Sequence, residues 1–257
     1  MTTEPIIQVE DLTVGYAQDD EQTVVLQHVS FQVLRGEVFA ILGGSGSGKT
    51  TLLKHMIGLL RPISGRIVID GDDIVAARGA ERRSIMRRFG VMYQMGALFG
   101  SMTTLENVRL PLEEFTEFDD EAIDWIARTK LYQVGLSAAA HRMPSELSGG
   151  MQKRVAIARA LALDPAIVFL DEPSAGLDPI NSADLDRLIV SLARTLGITF
   201  VMVTHELPSI FAIADRAILL DPRVRGIAAA GTPAQLRDSG DPRVHRFFHR
   251  EPEEAMP

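Results

Sequence analysis

Residues 38–50 read Val-Phe-Ala-Ile-Leu-Gly-Gly-Ser-Gly-Ser-Gly-Lys-Thr. The five apolar residues Val38–Leu42 predict a short buried strand, and the apolar pattern over Lys49–Leu60 predicts a helix. The glycine-rich loop between them matches the pattern G-x-x-x-x-G-K-[ST] in the context that this pattern requires. A glycine-rich turn that happens to precede a lysine is the alternative, and the strand and helix on either side disfavour it.

This loop has the chemistry of a phosphate-binding site. Its glycines let backbone N–H groups curl around phosphate oxygens, and the helix N-terminus adds partial positive charge. Lys49 is expected to reach the β- and γ-phosphates, and the Thr50 hydroxyl is expected to bind Mg²⁺. The predicted nucleotide-binding residues are Gly43, Gly44, Ser45, Gly46, Ser47, Gly48, Lys49, Thr50 and Thr51.

A second apolar strand, Ala166–Leu170, ends in two carboxylates, Asp171 and Glu172. At the end of the strand Asp171 is expected to hold Mg²⁺, directly or through water. Glu172 is expected to orient the water that attacks the γ-phosphate, or to accept a proton from it. Such a pair alone is often only a polar strand end, but together with the phosphate-binding loop it indicates nucleotide hydrolysis.

The order of predicted elements indicates an α/β fold. Strands are predicted before the loop at Ile6–Val14 and Val24–Leu34, residues 95–165 are mainly helical, and alternation of strands and helices returns after Pro165. Such alternation is typical of a mostly parallel sheet flanked by helices. The further predicted elements are strands Arg66–Asp70, Val91–Gln94, Thr199–Thr204 and Ala217–Leu220, and helices Asp120–Tyr132, Gly150–Leu163, Ala183–Leu196 and Leu207–Ala214.

Composition excludes several classes of protein. The 257 residues include 34 acidic and 26 basic side chains, a net charge of −8 that opposes general affinity for nucleic acid. The chain has no cysteine, which excludes disulfides and iron–sulfur clusters. Its apolar runs fall far short of the ~20 residues of a membrane span, and Met1–Asp11 has no secretory-signal pattern. A membrane role therefore requires a partner. Against the acidic background, residues 71–90 hold five arginines and three acidic residues, Glu81 and two aspartates.

Leu147-Ser148-Gly149-Gly150-Met151 precedes a helix, with Ser148 as a plausible N-cap. Together with the loop and the acidic pair, this signature resembles the nucleotide-binding subunit of ATP-binding cassette (ABC) transporters. The resemblance runs from Val9 to about Gly231. It implies one nucleotide-binding domain over 1–257, with a P-loop NTPase core and an N-terminal antiparallel β subdomain in 1–94 and 166–237. An inserted α-helical subdomain would occupy 95–165 and a polar tail 238–257.

The resemblance also implies roles for single residues. Tyr16 is similar to the aromatic residue that stacks on adenine, although a lone tyrosine ending a strand is more often structural. Gln94, which is predicted to end a strand, would touch Mg²⁺ and sense the γ-phosphate. His205 would contact the γ-phosphate, and Asp178 in the segment Ser174–Asp178 would cross a dimer interface. Two subunits would pair head to tail, with ATP between the Lys49 loop of one and the Ser148, Gly149 and Gly150 signature of the other.

Three short segments are similar to the ATPases of Mla-type phospholipid transporters of Gram-negative bacteria: Leu52–Gly58, Gly96–Phe99 and Asp241–Val244. Met95 departs from the serine expected in that group. The resemblance implies a peripheral protein on the cytoplasmic face of the inner membrane. Its partners would be an integral permease, a STAS-type regulatory subunit and an MCE-type periplasmic lipid-binding subunit, with no nucleic acid.

Two alternatives stay open. One is an ABC transporter ATPase for another cargo, such as amino acids, drugs or lipoproteins, because cargo contacts lie in the permease. The other is an ABC ATPase without a transport role, which acts on ribosomes or DNA and which the acidic charge disfavours. The segment Gln94–Met102 is predicted to form an apolar cleft for a permease helix. Leu98, Phe99 and Met102 would line it, while Gly96, Ala97 and Gly100 leave little side-chain bulk. Asp241–His249 is predicted either to pack as a short helix on its own domain or to dock a neighbouring subunit.

Overall fold

The computed structural model describes residues 4–18, 21–94 and 96–250, which fall into two compact units. The first unit comprises residues 1–77 and 203–257, and the second comprises residues 78–202. The first unit contains strands β1 (Pro5–Gln18), β2 (Glu21–Leu34), β3 (Val38–Leu42), β4 (Ser64–Ile69) and β5 (Asp72–Asp73), with helix α1 (Lys49–Met56) between β3 and β4.

Four of these strands form an antiparallel sheet in the order β2-β1-β4-β5. Val9 of β1 pairs with Phe31 of β2 on one side and with Ile67 of β4 on the other. Apolar side chains of β1 such as Ile7, Val9 and Leu12 are buried, which gives the sheet a core face. The predicted antiparallel β region at the N-terminus is therefore confirmed.

Strand β3 belongs to a parallel arrangement. All five of its residues are buried, and it pairs in parallel with β9 (Arg216–Asp221), which pairs antiparallel with β10 (Gly226–Gly231). Helix α1 ends at Met56, before the predicted Leu60, because Gly58 adopts φ 73° and its N–H bonds His55 O at 3.0 Å. The α/β prediction is confirmed by this sheet and its helices.

The first unit ends in three helices: α7 (Leu207–Ile213), α8 (Pro233–Arg237) and α9 (Pro242–His249). Asp241 caps α9 by accepting from Arg243 N–H at 2.9 Å. Val244 and Phe248 of α9 are buried, and the Phe248 ring lies 5.8 Å from that of Phe211 on α7. The tail is therefore helical over 242–249 and packs on its own unit, whereas residues 251–257 lie outside the described range.

The second unit holds helices α2 (Gly79–Met86), α3 (Thr104–Phe115), α4 (Asp120–Gln133), α5 (Gly149–Ala160) and α6 (Pro179–Leu196), with strands β6 (Phe89–Met92) and β7 (Ile167–Asp171). β6 and β7 pair in parallel, and α3, α4 and α5 pack on one another. Strand β8 (Thr199–Thr204) coincides with its prediction and continues in sequence into the first unit. None of the described helices is long and apolar enough to span a membrane.

Helix starts in this unit follow their capping residues. Thr103 and Glu106 form a reciprocal capping box at α3, and Asp119 caps α4. Helix α6 begins at Pro179 rather than at the predicted Ala183, because Asp178 caps it and proline suits the first helical position.

Candidate nucleotide-binding and hydrolysis site

The phosphate-binding loop runs from the buried end of β3 to the first residue of α1. Gly43 has φ 154°, and a Cβ there would lie 2.3 Å from Ser47 Oγ and 2.8 Å from Leu220 O. Gly48 has φ 92°, and a Cβ there would lie 2.9 Å from Val25 Cγ1. Any side chain at either position would therefore clash, so the loop geometry requires both glycines.

Lys49 is only 8% exposed, and its ammonium group lies against the loop backbone. Its Nζ donates to Gly43 O at 2.8 Å and to Gly44 O at 2.9 Å. These bonds place a positive charge beside the loop that the sequence predicts to bind phosphate.

Tyr16 lies beside the same helix start. Its hydroxyl is 2.7 Å from Thr51 Oγ1 in a hydrogen bond, and its side chain is 45% exposed. The prediction that Tyr16 ends a strand is wrong, because β1 continues to Gln18 and Tyr16 pairs with Thr23 of β2. The exposed ring, tied by its hydroxyl to α1, is compatible with stacking on a base.

Taken separately, each unit carries groups of the chemistry that a magnesium–triphosphate ligand needs. Ser47 is buried, and its Oγ has no hydrogen-bond partner within the described part of the chain, so the loop retains a free hydroxyl. Lys49 and the helix start supply positive character. The first unit offers the Thr50 hydroxyl, and the second unit offers the Gln94 amide oxygen and the Asp171 carboxylate. All are oxygen ligands of the type that Mg²⁺ prefers alongside substrate phosphates.

The acidic pair lies at the end of the fully buried strand β7. Asp171 is 5% exposed and Glu172 is 7% exposed. Glu172 adopts φ 47°, a left-handed conformation that costs a non-glycine residue roughly 1–2 kcal/mol. The chain therefore turns sharply at Glu172, directly after the strand that carries Asp171.

Sequence reasoning missed Lys153 of α5, which bonds the backbone of Gln94 and lies within the electrostatic influence of the acidic pair. Its side chain is buried and its Nζ donates to Gln94 O. Burial lowers the pKa of Lys153, while the negative charges of Asp171 and Glu172 act against that shift. No signal in the sequence pointed to this contact, because Lys153 and Gln94 are remote from each other in the chain.

Gln94 lies in a turn beyond β6, which ends at Met92, so the prediction that Gln94 ends a strand is wrong. The turn is closed by the bond from Gly96 N–H to Tyr93 O at 2.7 Å. Gln94 itself is exposed. Met95, noted as a departure from the Mla pattern, lies outside the described residues.

Two side chains that the sequence did not single out hold the segment after Gln94. Arg159 donates to Gly96 O and Ala97 O, each at 2.9 Å. Buried Asn107 accepts from Phe99 N–H at 2.9 Å and donates to Phe99 O at 3.1 Å. The backbone near Gln94 is thus fixed by helices α3 and α5.

An apolar cavity of about 510 Å³ opens beside this segment. Glu114 and Arg159 are among its few polar lining residues, and burial lowers the pKa of Arg159. The apolar lining includes Met86, Val91, Ala97, Phe99, Leu110 and Phe115. Phe99 lines the cavity as predicted, and Ala97 lies in its wall as a residue of little bulk, whereas Leu98 and Met102, which were also predicted to line it, do not. Helices α2 and α3 supply walls that were not predicted. The cavity has the apolar character of a groove that receives a helix.

The signature residues form the start of α5. Ser148 caps the helix by accepting from Met151 N–H at 3.3 Å, as predicted. A Cβ at Gly150 would lie 3.4 Å from Asn181 Oδ1, and one at Gly149 would lie 3.6 Å from Leu177 Cδ2. The signature therefore lies against the start of α6.

Asp178 caps α6 by accepting from Ile180 N–H at 3.0 Å and from Asn181 N–H at 3.1 Å. Its pKa is lowered, first by the hydrogen bond from the Asn181 side chain. The exposed carboxylate is therefore fixed in direction and charged at neutral pH. Asn181 contacts both Asp178 and the signature, which the sequence did not reveal.

The two units divide the predicted site residues. The first unit carries Tyr16, the loop 43–51 and His205, which is exposed directly after β8. The second unit carries Gln94, Asp171 and Glu172; Lys153 bonds the Gln94 backbone, and its pKa responds to the two carboxylates. The same unit carries the signature next to the start of α6.

The geometry agrees with similarity to known proteins. The family described as ABC transporter matches residues 26–175. The intermembrane phospholipid transport system ATP-binding protein MlaF of Haemophilus influenzae is 42% identical over 96% of this chain and 91% of its own. The probable ribonucleotide transport ATP-binding protein mkl of Mycobacterium tuberculosis is 40% identical over 88% of this chain and 62% of its own.

A solved structure shares the fold. It is the dimeric post-hydrolysis state of the ATP-binding cassette MJ0796 bound to ADP and Pi, with a TM-score of 0.79 and 31% identity. The match covers 88% of this chain and 98% of that one.

Proposed function

The chain belongs to the ABC transporter family, and on that basis we propose that it is the ATP-hydrolysing subunit of a transporter that moves phospholipid between the inner and outer membranes. Phospholipid is proposed as the cargo because the chain is 42% identical, over 96% of its length, to the ATPase of a phospholipid transport system. The phosphate-binding loop and the acidic pair after β7 support ATP as the energy source.

The residues divide the work of binding and hydrolysis. The loop 43–51 binds the phosphates, with Lys49 on the β- and γ-phosphates, and Tyr16 stacks on adenine. Mg²⁺ neutralises phosphate charge when it is bound, and Thr50, Gln94 and Asp171 are the residues that would hold it. Glu172 orients the attacking water and accepts its proton, and His205 contacts the γ-phosphate.

The working unit is a homodimer with two shared ATP sites. A triphosphate is strongly anionic, and the start of α5 at Ser148, Gly149 and Gly150 is a second anion-binding helix end. The signature of one subunit therefore faces the Lys49 loop of the other, and Asp178 lies at the interface. ATP binding favours the closed dimer and hydrolysis releases it, which is a population shift driven by ligand.

The permease binds in the apolar cavity beside Gln94. A short helix of the permease fits a groove lined by Ala97, Phe99 and Leu110. Loss of the γ-phosphate is sensed at Gln94 and passed to that helix through the segment that Arg159 and Asn107 hold. The resemblance adds a STAS-type regulatory subunit, an MCE-type periplasmic subunit and a place on the cytoplasmic face of the inner membrane.

Another cargo is the second candidate. The relative named for ribonucleotide transport is nearly as similar in identity, at 40%, as the phospholipid-system relative. Because cargo contacts lie in the permease, the ATP chemistry is the same for either cargo.

A substitution that fills the apolar cavity tests whether the permease binds there and whether the cargo is phospholipid. In a deletion strain, the wild-type gene is expected to restore low levels of surface-exposed phospholipid, while Ala97→Trp fails because the indole occupies the space of the permease helix. The purified variant should still bind ATP. Ala97→Gly is the matched control, since Ala97 has φ 46°, which glycine adopts without strain.

Either of two results would contradict part of this account. Full complementation by Ala97→Trp would remove the permease from this cavity. Normal lipid asymmetry in the deletion strain, together with a defect in uptake of a small solute, would reject phospholipid as cargo and leave the family assignment unchanged.

A further inference from the structure

Helix α2 and the residues that flank it carry a concentration of positive charge that the ATP chemistry does not use. Residues 78–88 contain one acidic side chain, Glu81, in a chain whose net charge is −8. The basic residues of this segment are Arg78, Arg82, Arg83, Arg87 and Arg88. The segment thus has the opposite sign of charge to the chain as a whole, and surface charge of one sign attracts ligands of the other.

Two of these arginines face solvent, Arg83 within α2 and Arg87 as the residue that caps its C-terminus. Ile85 is fully buried, whereas Arg83 and Arg87 are exposed one turn apart on the opposite side of the helix. Met86 is 37% exposed between them. Within the described part of the chain neither Arg83 nor Arg87 forms an ion pair, and the Arg87 guanidinium lies 5.7 Å from the centroid of the Phe115 ring. We name Arg83, Met86 and Arg87 the arginine face.

The arginine face is continuous with the rim of the apolar cavity. Met86 and Phe115 both line that cavity, and Phe115 is itself partly exposed. A permease helix seated there would descend from the membrane, so the rim of the cavity would lie close to the membrane surface. The arginines flank the opening without lining it, which leaves them available to a surface beside the permease.

We propose that the arginine face contacts anionic phospholipid headgroups of the membrane that holds the permease. Guanidinium groups match phosphate oxygens in a bidentate geometry, and exposed apolar tips such as Met86 are accommodated at the headgroup boundary. This inference rests on the proposed seating of the permease in the cavity. The contact would hold the ATPase in one orientation while the permease moves.

Vesicle binding by the full-length purified chain tests this contact. At low ionic strength the wild type is expected to bind vesicles of three parts phosphatidylcholine and one part phosphatidylglycerol more tightly than vesicles of phosphatidylcholine alone. The double variant Arg83→Glu, Arg87→Glu should lose about thirty-fold in binding to the anionic vesicles, at about 1 kcal/mol for each arginine.

The control variant is Arg187→Glu, Arg194→Glu, which makes the same change in net charge on exposed positions of α6. It should bind anionic vesicles nearly as the wild type does, and both variants should keep ATP binding. Equal binding of the wild type to the two kinds of vesicle, or equal losses in both variants, would overturn the proposal.

A third result would also overturn it. If the α2 variant binds vesicles normally but loses co-purification with the permease in detergent, the face contacts protein and not lipid. Failure of the phospholipid-transport proposal is detected separately by lipid asymmetry in the deletion strain. A lipid contact would persist for any membrane-embedded permease, whatever its cargo.

Discussion

Glu172→Gln is expected to slow steady-state ATP turnover by about 10²–10⁴-fold, the usual contribution of a general base. The amide has nearly the shape of the carboxylate but cannot accept the proton of the attacking water. Glu172 is buried at a sharp turn directly after β7, so water or a neighbouring side chain cannot readily replace it. ATP binding should persist, because the phosphate-binding loop belongs to a different segment.

The variant should also accumulate as an ATP-bound dimer, since binding no longer ends in hydrolysis. Size-exclusion chromatography with ATP and Mg²⁺ would detect that dimer. Glu121→Gln, an exposed glutamate on α4, is the matched control and should turn over ATP normally. Near-normal ATPase activity of Glu172→Gln in the assembled complex would reject the assignment of Glu172 as base.

Lys49→Ala and Ser148→Arg should each abolish most ATPase activity as homodimers, for different reasons. Lys49→Ala removes the ammonium that bonds Gly43 O and Gly44 O and weakens nucleotide binding within one chain. Ser148→Arg puts a bulky side chain at the start of α5 and should leave single-chain nucleotide binding intact while blocking the paired site. Ser148→Ala controls for the lost helix cap, worth about 1 kcal/mol.

Mixing the two variants distinguishes shared sites from separate ones. A mixed dimer has one site with an intact loop and an intact signature, while its other site lacks both. If one site suffices, random pairing should restore about a quarter of wild-type activity under two-fold symmetry. Recovery at that level would show that the sites are shared. If one site suffices, no recovery in a mixture shown by mass spectrometry to contain mixed dimers would mean that each chain builds its own site.

Local sequence rules predicted the elements that carry the chemistry. Strands β3 and β8 coincide with their predictions because continuous apolar runs are bounded by polar or glycine residues. The same rules placed Ser148 as a helix cap. They misplaced helix ends that a single residue determines. Gly58 ends α1 earlier than predicted, and the capping residue Asp178 starts α6 earlier than predicted.

The side-chain contacts that hold the backbone around Gln94 could not be predicted, because they join residues far apart in the chain. Lys153 meets Gln94, Arg159 meets Gly96, and Asn107 bonds the backbone of Phe99. Each is a polar side chain on a helix, and the neighbouring sequence does not show which remote backbone it contacts. Only tertiary packing shows that these side chains hold the segment between the acidic pair and the apolar cavity.

ATP-dependent movement of phospholipid by the complex purified through this chain tests the central proposal most directly. The complex would be reconstituted into vesicles that contain a fluorescent phospholipid, and its transfer to acceptor vesicles would be followed with and without ATP. The proposal predicts transfer that requires ATP, is lost in Glu172→Gln and is retained in Glu121→Gln. Vigorous ATP hydrolysis without ATP-dependent transfer, or transfer unchanged in Glu172→Gln, would contradict it.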